Sequence, residues 1–266
     1  MNFNILEIVL PVVILGGLGL IFGVVLGVAA KIFAVQKDER IDRILGVLPC
    51  ANCGGCGYAG CSAYASSVVE GKADVAACTV GGEDCASKVA EIMGVKADYV
   101  KKVARIKCAG DCEASPARYK YKGVESCEAA VKLGGGPKSC SYGCMGLGSC
   151  VAVCEMNALS IQNGIAVVNE ELCKACGKCV AACPKKLIEI VPAKQKYVVA
   201  CSSKDKGAEM KNTCSVGCIG CKMCEKACPS QAISVEDNIA KIDYEKCTLC
   251  GACAEKCPKK IIKIFE

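Results

Sequence analysis

The sequence predicts an α+β protein with its parts in series: an N-terminal transmembrane helix, a small helical cysteine module, then two copies of one compact strand-and-helix unit. Three observations carry that prediction. Residues Ile8 to Ala30 run without a charge and are rich in Leu, Val, Ile and Gly. The chain has 27 cysteines among 266 residues and no histidine. The cysteines between Cys140 and Cys183 recur between Cys214 and Cys257 at a constant offset of 74 residues: Cys154 matches Cys228, Cys173 matches Cys247, and Cys183 matches Cys257.

The apolar stretch is long enough to cross a bilayer as a helix. Glu7 precedes it, and Lys31, Lys37, Arg40 and Arg43 follow it, so the positive-inside rule puts the C-terminal side in the cytoplasm. A cleavable signal peptide would show a basic start and a shorter apolar core, and this segment has neither. Gly19, Gly23 and Gly27 make a stripe of small residues that lets another helix approach closely, although glycine is also simply frequent in membrane helices. The span has no chain of ionisable groups, so it is not itself an ion path.

Lys31 to Pro49 reads as a charged connector with a short helix around Arg40 to Leu48. Cys50 to Cys78 is the first cysteine module. Gly82 to Arg105 reads as a helix, with Val89, Ile92, Met93, Val100 and Val103 as its apolar stripe. Lys107 to Pro137 is irregular. Each repeat then offers a hairpin, Ala158 to Asn169 turning at Asn163-Gly164 and Ala232 to Asp243 turning at Asp237-Asn238. A short closing strand follows each, Leu187 to Ile190 and Ile261 to Ile264. The expected parts are therefore an anchor (1–34), an N-terminal module (35–106), a cysteine-bearing connector (107–139), a first unit (140–192), a linker (193–213) and a second unit (214–266).

The cysteine spacing names the chemistry. Cys173 to Pro184 and Cys247 to Pro258 are both C-x2-C-x2-C-x3-C-P runs, the bacterial ferredoxin signature for [4Fe–4S] ligation, in which the fourth cysteine serves the other cluster of the pair. The repeats are thus ferredoxin-like 2[4Fe–4S] units. In the second, one cluster takes Cys218, Cys221, Cys224 and Cys257, and the other takes Cys228, Cys247, Cys250 and Cys253. In the first, Cys154, Cys173, Cys176 and Cys179 form one set. The other lacks a ligand, because Leu147 stands where the second unit has Cys221. Cys140 is the expected replacement, giving Cys140, Cys144, Cys150 and Cys183, and its repeat partner Cys214 is then not needed as a ligand. Glu155 also replaces the usual proline after Cys154.

In the N-terminal module, Cys53, Cys56, Cys61 and Cys78 make a separate four-thiolate set, with Cys50 as a competitor for a place in it. Glycines 54, 55, 57 and 60 allow the backbone to wrap closely there. Cys108, Cys112, Cys127 and Cys201 remain as one more quartet, either a sixth cluster or plain buried thiols or a zinc site. Cys50, Cys85 and Cys214 are left over. Six [4Fe–4S] clusters are expected, five of them without the connector quartet.

The absence of histidine rules out a Rieske centre, a His-ligated haem and a Cys/His zinc finger. Aromatic residues are scarce, with four Phe and no Trp, which suits small domains whose metal sites contribute folding free energy. The formal net charge of +6 counts thiols as neutral. Six four-thiolate clusters, each about −2 when oxidised, would bring it to about −6, so nucleic-acid binding is a poor reading of the basic balance. No P-loop is present and no G-x-G-x-x-G follows a strand, so no nucleotide site is expected.

An N-terminal membrane anchor, then ANCGGCGYAGC with a cysteine sixteen residues on, then ferredoxin motifs, resembles the iron–sulfur B component of the Rnf complex over essentially the whole chain. The second ferredoxin unit and the added cysteines resemble its longer, clostridial-type form, and Cys50 stands where that family commonly has Gly. The resemblance implies membership of a membrane-bound ferredoxin:NAD+ oxidoreductase that couples electron transfer to Na+ or H+ translocation. It also implies that this component takes electrons from soluble ferredoxin at the cytoplasmic face, with nicotinamide and covalent flavin chemistry in other subunits. No general acid, base or nucleophile is required, so no catalytic residue is expected beyond the cluster ligands. The alternatives are an electron-transfer component of another membrane complex, such as a hydrogenase or dehydrogenase module, and a zinc-binding interaction protein. Lysines beside the clusters, Lys174, Lys178, Lys185 and Lys186 in one unit and Lys222, Lys226, Lys259 and Lys260 in the other, either steer an acidic ferredoxin or are ordinary solvated charge.

Overall fold

A computed structural model describes residues 5–32 and 38–265. Helix α1 (Ile5–Ile32) contains a 21-residue apolar span, Val12–Ile32, none of which is buried against the rest of the chain. Lys37, part of the expected basic flank, lies outside the described residues.

The N-terminal module is three helices, α2 (Glu39–Val47), α3 (Cys61–Val69) and α4 (Gly82–Met93). Asp38 caps α2 by accepting from the Arg40 amide at 2.9 Å, which satisfies one of the free donors of the first turn. Ile44, Tyr64, Val68 and Val89 are fully buried between the helices, and the Tyr64 hydroxyl donates to the carbonyls of Asp74 and Val75 at 2.8 and 3.0 Å. The helix expected over Gly82 to Arg105 stops at Met93. Gly94, at φ 67°, ends it, with the Val95 amide returning to the Ala90 carbonyl at 3.0 Å. Val100 and Val103 leave the helix stripe, and Val103 belongs instead to strand β1 (Lys102–Ile106).

Beyond β1 come α5 (Cys127–Lys132), α6 (Ser149–Ala152), the hairpin β2 (Leu159–Gln162) and β3 (Ile165–Val168), α7 (Lys178–Ala182) and β4 (Ile188–Pro192). The second unit repeats the plan with β5 (Tyr197–Val199), α8 (Gly207–Thr213), α9 (Met223–Ala227), the hairpin β6 (Ile233–Glu236) and β7 (Ile239–Ile242), α10 (Ala252–Glu255) and β8 (Ile262–Ile264). Both hairpins turn where the sequence puts them. Asn163 and Gly164 have φ of 45° and 72°, Asp237 and Asn238 of 50° and 62°, the pair of positive values that a two-residue turn matching strand twist requires.

The closing strands pair upstream. β4 runs antiparallel to β1, and β8 antiparallel to β5. Each unit therefore has a hairpin and a two-stranded sheet, with β1 near β3 in the first and β5 near β7 in the second. The first unit's sheet reaches back to Lys102, ahead of the expected start at 140. The second unit's reaches Tyr197, inside the stretch expected to be linker. Short strands of KVARI and YVV type carry too little periodicity to be read without their partners.

Polar contacts tie the two units together. Arg105 on β1 is 2% exposed. Its guanidinium makes a bidentate pair with Glu170 and lies 4.0 Å from the ring centre of Phe265 at the far end of the second unit. Tyr244 donates to Glu189 of β4 at 2.6 Å.

Candidate metal centres

Four small cavities are each lined by four cysteines. In the second unit, Cys218, Cys221, Cys224 and Cys257 share one, the set that the spacing predicts. In the first, Cys154, Cys173, Cys176 and Cys179 share another. Cys253 has Cys247 and Cys228 as thiol neighbours, three of the four predicted for the remaining set of that unit; the fourth, Cys250, is exposed.

The third cavity holds Cys144, Cys150 and Cys183, but its fourth cysteine is Cys127, not Cys140. Cys127 opens α5, and its amide donates to Ser149 Oγ at 2.8 Å, where α6 begins. That bond brings residue 127 to the side left short by Leu147. Cys140 lies instead in a fourth cavity with Cys108, Cys201 and Cys214. Cys112, expected in a quartet with Cys108, is exposed. Its amide donates to the Asn163 carbonyl at 2.9 Å, and its sulfur packs against Gly164 of the first hairpin turn. The expected grouping of Cys108, Cys112, Cys127 and Cys201 is therefore divided among three places.

In the N-terminal module, Cys56, Cys61 and Cys78 pack in the helical core, together with Cys85. Cys53 and Cys56 face an open cleft of about 1010 Å³. Cys85, which the spacing leaves over, touches Cys78, and its S–H holds the Cys78 thiol down at about 6 against the opposing effect of burial. Asn52 Oδ1 accepts from the Cys61 amide at 2.9 Å and so satisfies a free donor at the start of α3. Cys50 is exposed, its sulfur 3.6 Å from the Leu45 carbonyl.

The donor sets suit [4Fe–4S] clusters by chemistry and by surroundings. Backbone amides point at cysteine sulfurs: Ala104 at Cys173 (3.4 Å), Ala158 at Cys154 (3.4 Å), Leu187 at Cys183 (3.4 Å) and Ala232 at Cys228 (3.3 Å). Such bonds stabilise thiolate charge and tune cluster potential. Burial pushes the Cys150 thiol up to about 12, helped by Cys144, Cys127 and Cys183, and the Cys179 and Cys224 thiols up to about 11. A cationic iron core held by these thiols would supply the charge that reverses this balance. Among the described residues, no three such ligands close on a single ion-sized point.

The N-terminal module seats against the first unit. A Cβ on Gly55 would lie 3.0 Å from the Cys176 carbonyl oxygen, so glycine permits the close approach. Thr79 Oγ1 donates to the Ala175 carbonyl at 3.3 Å in the same joint. Lys185, one of the lysines that the sequence places beside the clusters, is half-buried. Its ammonium donates to the Gly143 carbonyl at 3.0 Å, and burial lowers its pKa despite nearby Cys140, Cys108, Cys144 and Cys127. Lys178 pairs with Glu155. Lys186, Lys222, Lys226 and Lys260 are exposed.

Comparison with known proteins agrees with this chemistry. The family described as a putative Fe-S cluster matches residues 48–80, a 4Fe-4S binding domain matches 166–189, and a 4Fe-4S dicluster domain matches 217–261. The chain is 49% identical to the B component of the Na(+)-translocating ferredoxin:NAD(+) oxidoreductase complex of Acetobacterium woodii, over 96% of this chain and 77% of that one. It is 44% identical to the B component of the ion-translocating oxidoreductase complex of Methanosarcina acetivorans, over 95% and 97% of the two chains. It is 41% identical to the B component of the proton-translocating ferredoxin:NAD(+) oxidoreductase complex of Clostridium ljungdahlii, over 96% and 92%.

Proposed function

Since the chain belongs to the B-component family of ion-translocating ferredoxin:NAD+ oxidoreductase complexes, we propose that it accepts single electrons from reduced ferredoxin and hands them to the membrane subunits of such a complex. Its ligand sets for [4Fe–4S] clusters are Cys53, Cys56, Cys61 and Cys78; Cys154, Cys173, Cys176 and Cys179; Cys127, Cys144, Cys150 and Cys183; Cys218, Cys221, Cys224 and Cys257; and Cys228, Cys247, Cys250 and Cys253. When bound, such clusters supply reversible one-electron storage at potentials that burial and amide hydrogen bonds adjust. The protein's own work is to hold them in order and to keep water from the buried thiolates.

The observation that supports this reading is that four-cysteine cavities occur in both ferredoxin-like units, with a further group of cysteines packed in the N-terminal module. The N-terminal site follows α1 closely in sequence, and electrons leave through it toward the membrane subunits in this reading. Electrons enter, in this reading, at the second unit. There Cys221 and Cys250 are exposed, and the exposed Lys222, Lys226 and Lys260 neighbour the ligands in sequence, which suits docking of an acidic ferredoxin. Helix α1 anchors the chain with the iron–sulfur region in the cytoplasm.

The test is anaerobic mixing of the full chain in detergent with chemically reduced ferredoxin. The reading expects prompt bleaching of the broad visible absorption of the clusters with matching reoxidation of ferredoxin. A chain that carries iron and sulfide but takes no electrons from ferredoxin contradicts it.

A further inference from the structure

We propose a sixth [4Fe–4S] site, on Cys108, Cys140, Cys201 and Cys214, that sits between the two ferredoxin-like units and joins them electrically. The inference rests on the cluster reading of the other five sets and adds to it a site formed by neither unit alone.

The four cysteines come from four separate segments and line one cavity. Cys140 and Cys214 are each 7% exposed. Glycines open the space around the sulfurs. A Cβ on Gly110 would lie 3.2 Å from Cys214 Sγ and 3.8 Å from Cys108 Sγ; one on Gly143 would lie 3.5 Å from Cys140 Sγ and 3.6 Å from Cys108 Sγ. A side chain at either position would fill that space. The site is also braced. Ser115, 1% exposed, accepts from the Cys140 amide at 3.2 Å and donates to the Thr213 carbonyl at 3.0 Å, tying the segment of Cys140 to that of Cys214. The Ala109 amide donates to the Ala200 carbonyl at 2.9 Å, tying Cys108 to Cys201 in the same way.

The two units contribute equivalently. Cys108 lies two residues past the end of β1, the partner of β4; Cys201 lies two residues past the end of β5, the partner of β8. Cys140 and Cys214 are the repeat-related pair. The amide–sulfur bonds obey the same relation: the Cys144 amide donates to Cys108 Sγ at 3.3 Å, and the Cys218 amide donates to Cys201 Sγ at 3.4 Å. Cys144 and Cys218 are repeat equivalents as well, and each belongs to a ligand set of its own unit. The backbone thus runs from a ligand of one unit, through one hydrogen bond, to the central site, and leaves through its counterpart in the other. Four thiols around one cavity, with the amide–sulfur bonding of the ferredoxin ligands, are poorly explained as isolated buried cysteines. The redox event at the site is the gain of one electron from a reduced cluster in one unit and its loss to an oxidised cluster in the other; no bond or proton changes hands.

The test uses the anaerobically reconstituted full chain, with iron, acid-labile sulfide and zinc measured per polypeptide. The unaltered chain should hold about twenty-four iron and as many sulfide, four per cluster. Cys108→Ala combined with Cys214→Ala should hold about four fewer of each, whereas Cys112→Ala should lose none. Single Cys214→Ser is an independent check that leaves three ligands in place. It should give, in the oxidised state, the paramagnetic signal of a three-iron cluster, from a chain otherwise loaded. The inference is overturned if the double variant keeps the unaltered iron content while a Cys257→Ala control loses a cluster's worth, or if Cys214→Ser gives no such signal. A chain that binds zinc in place of iron and sulfide overturns the underlying cluster reading instead.

Discussion

Arg105 is buried on β1 with its guanidinium shared between Glu170 and the face of Phe265. Its Nε has no hydrogen-bond partner, so the carboxylate carries most of the compensation for burying the charge. Breaking such a pair costs more than the pair contributes, because the surviving charge stays buried. Glu170→Ala should therefore destabilise the chain by roughly 2–4 kcal/mol, lowering the temperature at which cluster absorption is lost anaerobically by about 5–10 °C. Glu128→Ala, which removes an exposed pair with Lys132, should leave that temperature unchanged. Equal effects from the two would remove the special role given to Arg105. The lysines also divide by environment. Lys185 is committed to the Gly143 carbonyl between two thiol quartets, while Lys260 is exposed in the second unit. Reversing Lys259 and Lys260 to Glu should slow reduction by ferredoxin several-fold at low salt, with the deficit shrinking as ionic strength rises. Stopped-flow rates that match the unaltered chain across a salt series would leave these lysines as surface charge. At this scale the sequence is only partly legible. The repeat identifies Cys140 with Cys214, and equivalent positions in equivalent units should do equivalent work. Giving Cys140 a place inside the first unit while discarding Cys214 breaks that symmetry. Cys127 stands at the repeat offset from Cys201 but does not share its site; no motif links it to Cys144, and the bond to Ser149 is what brings it near.

Among the elements, hairpins and caps follow from local chemistry, and the strands that complete the sheets do not. Asn163-Gly164 and Asp237-Asn238 mark their turns in the sequence and adopt the required positive φ values. Gly94 likewise ends α4 through its own conformation. β1 and β5 are completed by pairing with β4 and β8, and their residues support either helix or strand until that partner is known. This is also why Cys108 and Cys201, each just beyond one of these strands, stand at unrelated positions in the sequence: their spacing is not the repeat offset. Helix α1 is legible from composition alone, as an uninterrupted apolar span. Removing residues 1–35 should yield a brown, redox-active protein that stays in the soluble fraction with its iron content unchanged. Recovery of the truncated chain in the membrane fraction after a high-salt wash would show that α1 is not the main anchor.

Across the whole molecule, the proposed reading has electrons pass the sites in one order. The N-terminal set meets Cys176 of the first unit at Gly55. Within that unit the second cluster site lies beside Cys108 through the Cys144 amide. The central site then leads through Cys201 and the Cys218 amide to the second unit, whose ligands Cys221 and Cys250 reach the surface. In this order the central site is the proposed electron connection between the two units. The repeat makes two ferredoxin-like halves predictable, but a site assembled from both halves exists only once they are packed together.

The measurement that tests this order most directly counts the electrons that reduced ferredoxin delivers promptly to the full chain, by stopped-flow absorption, in the unaltered protein and in the Cys108→Ala, Cys214→Ala double variant. If the six proposed one-electron clusters lie in series, the unaltered chain should take up about six equivalents in the fast phase. With the central site removed, only the two clusters of the second unit remain within reach, and the fast phase should fall to about two equivalents. A fast phase of about five equivalents, the loss of a single cluster without isolation of the others, would contradict the account.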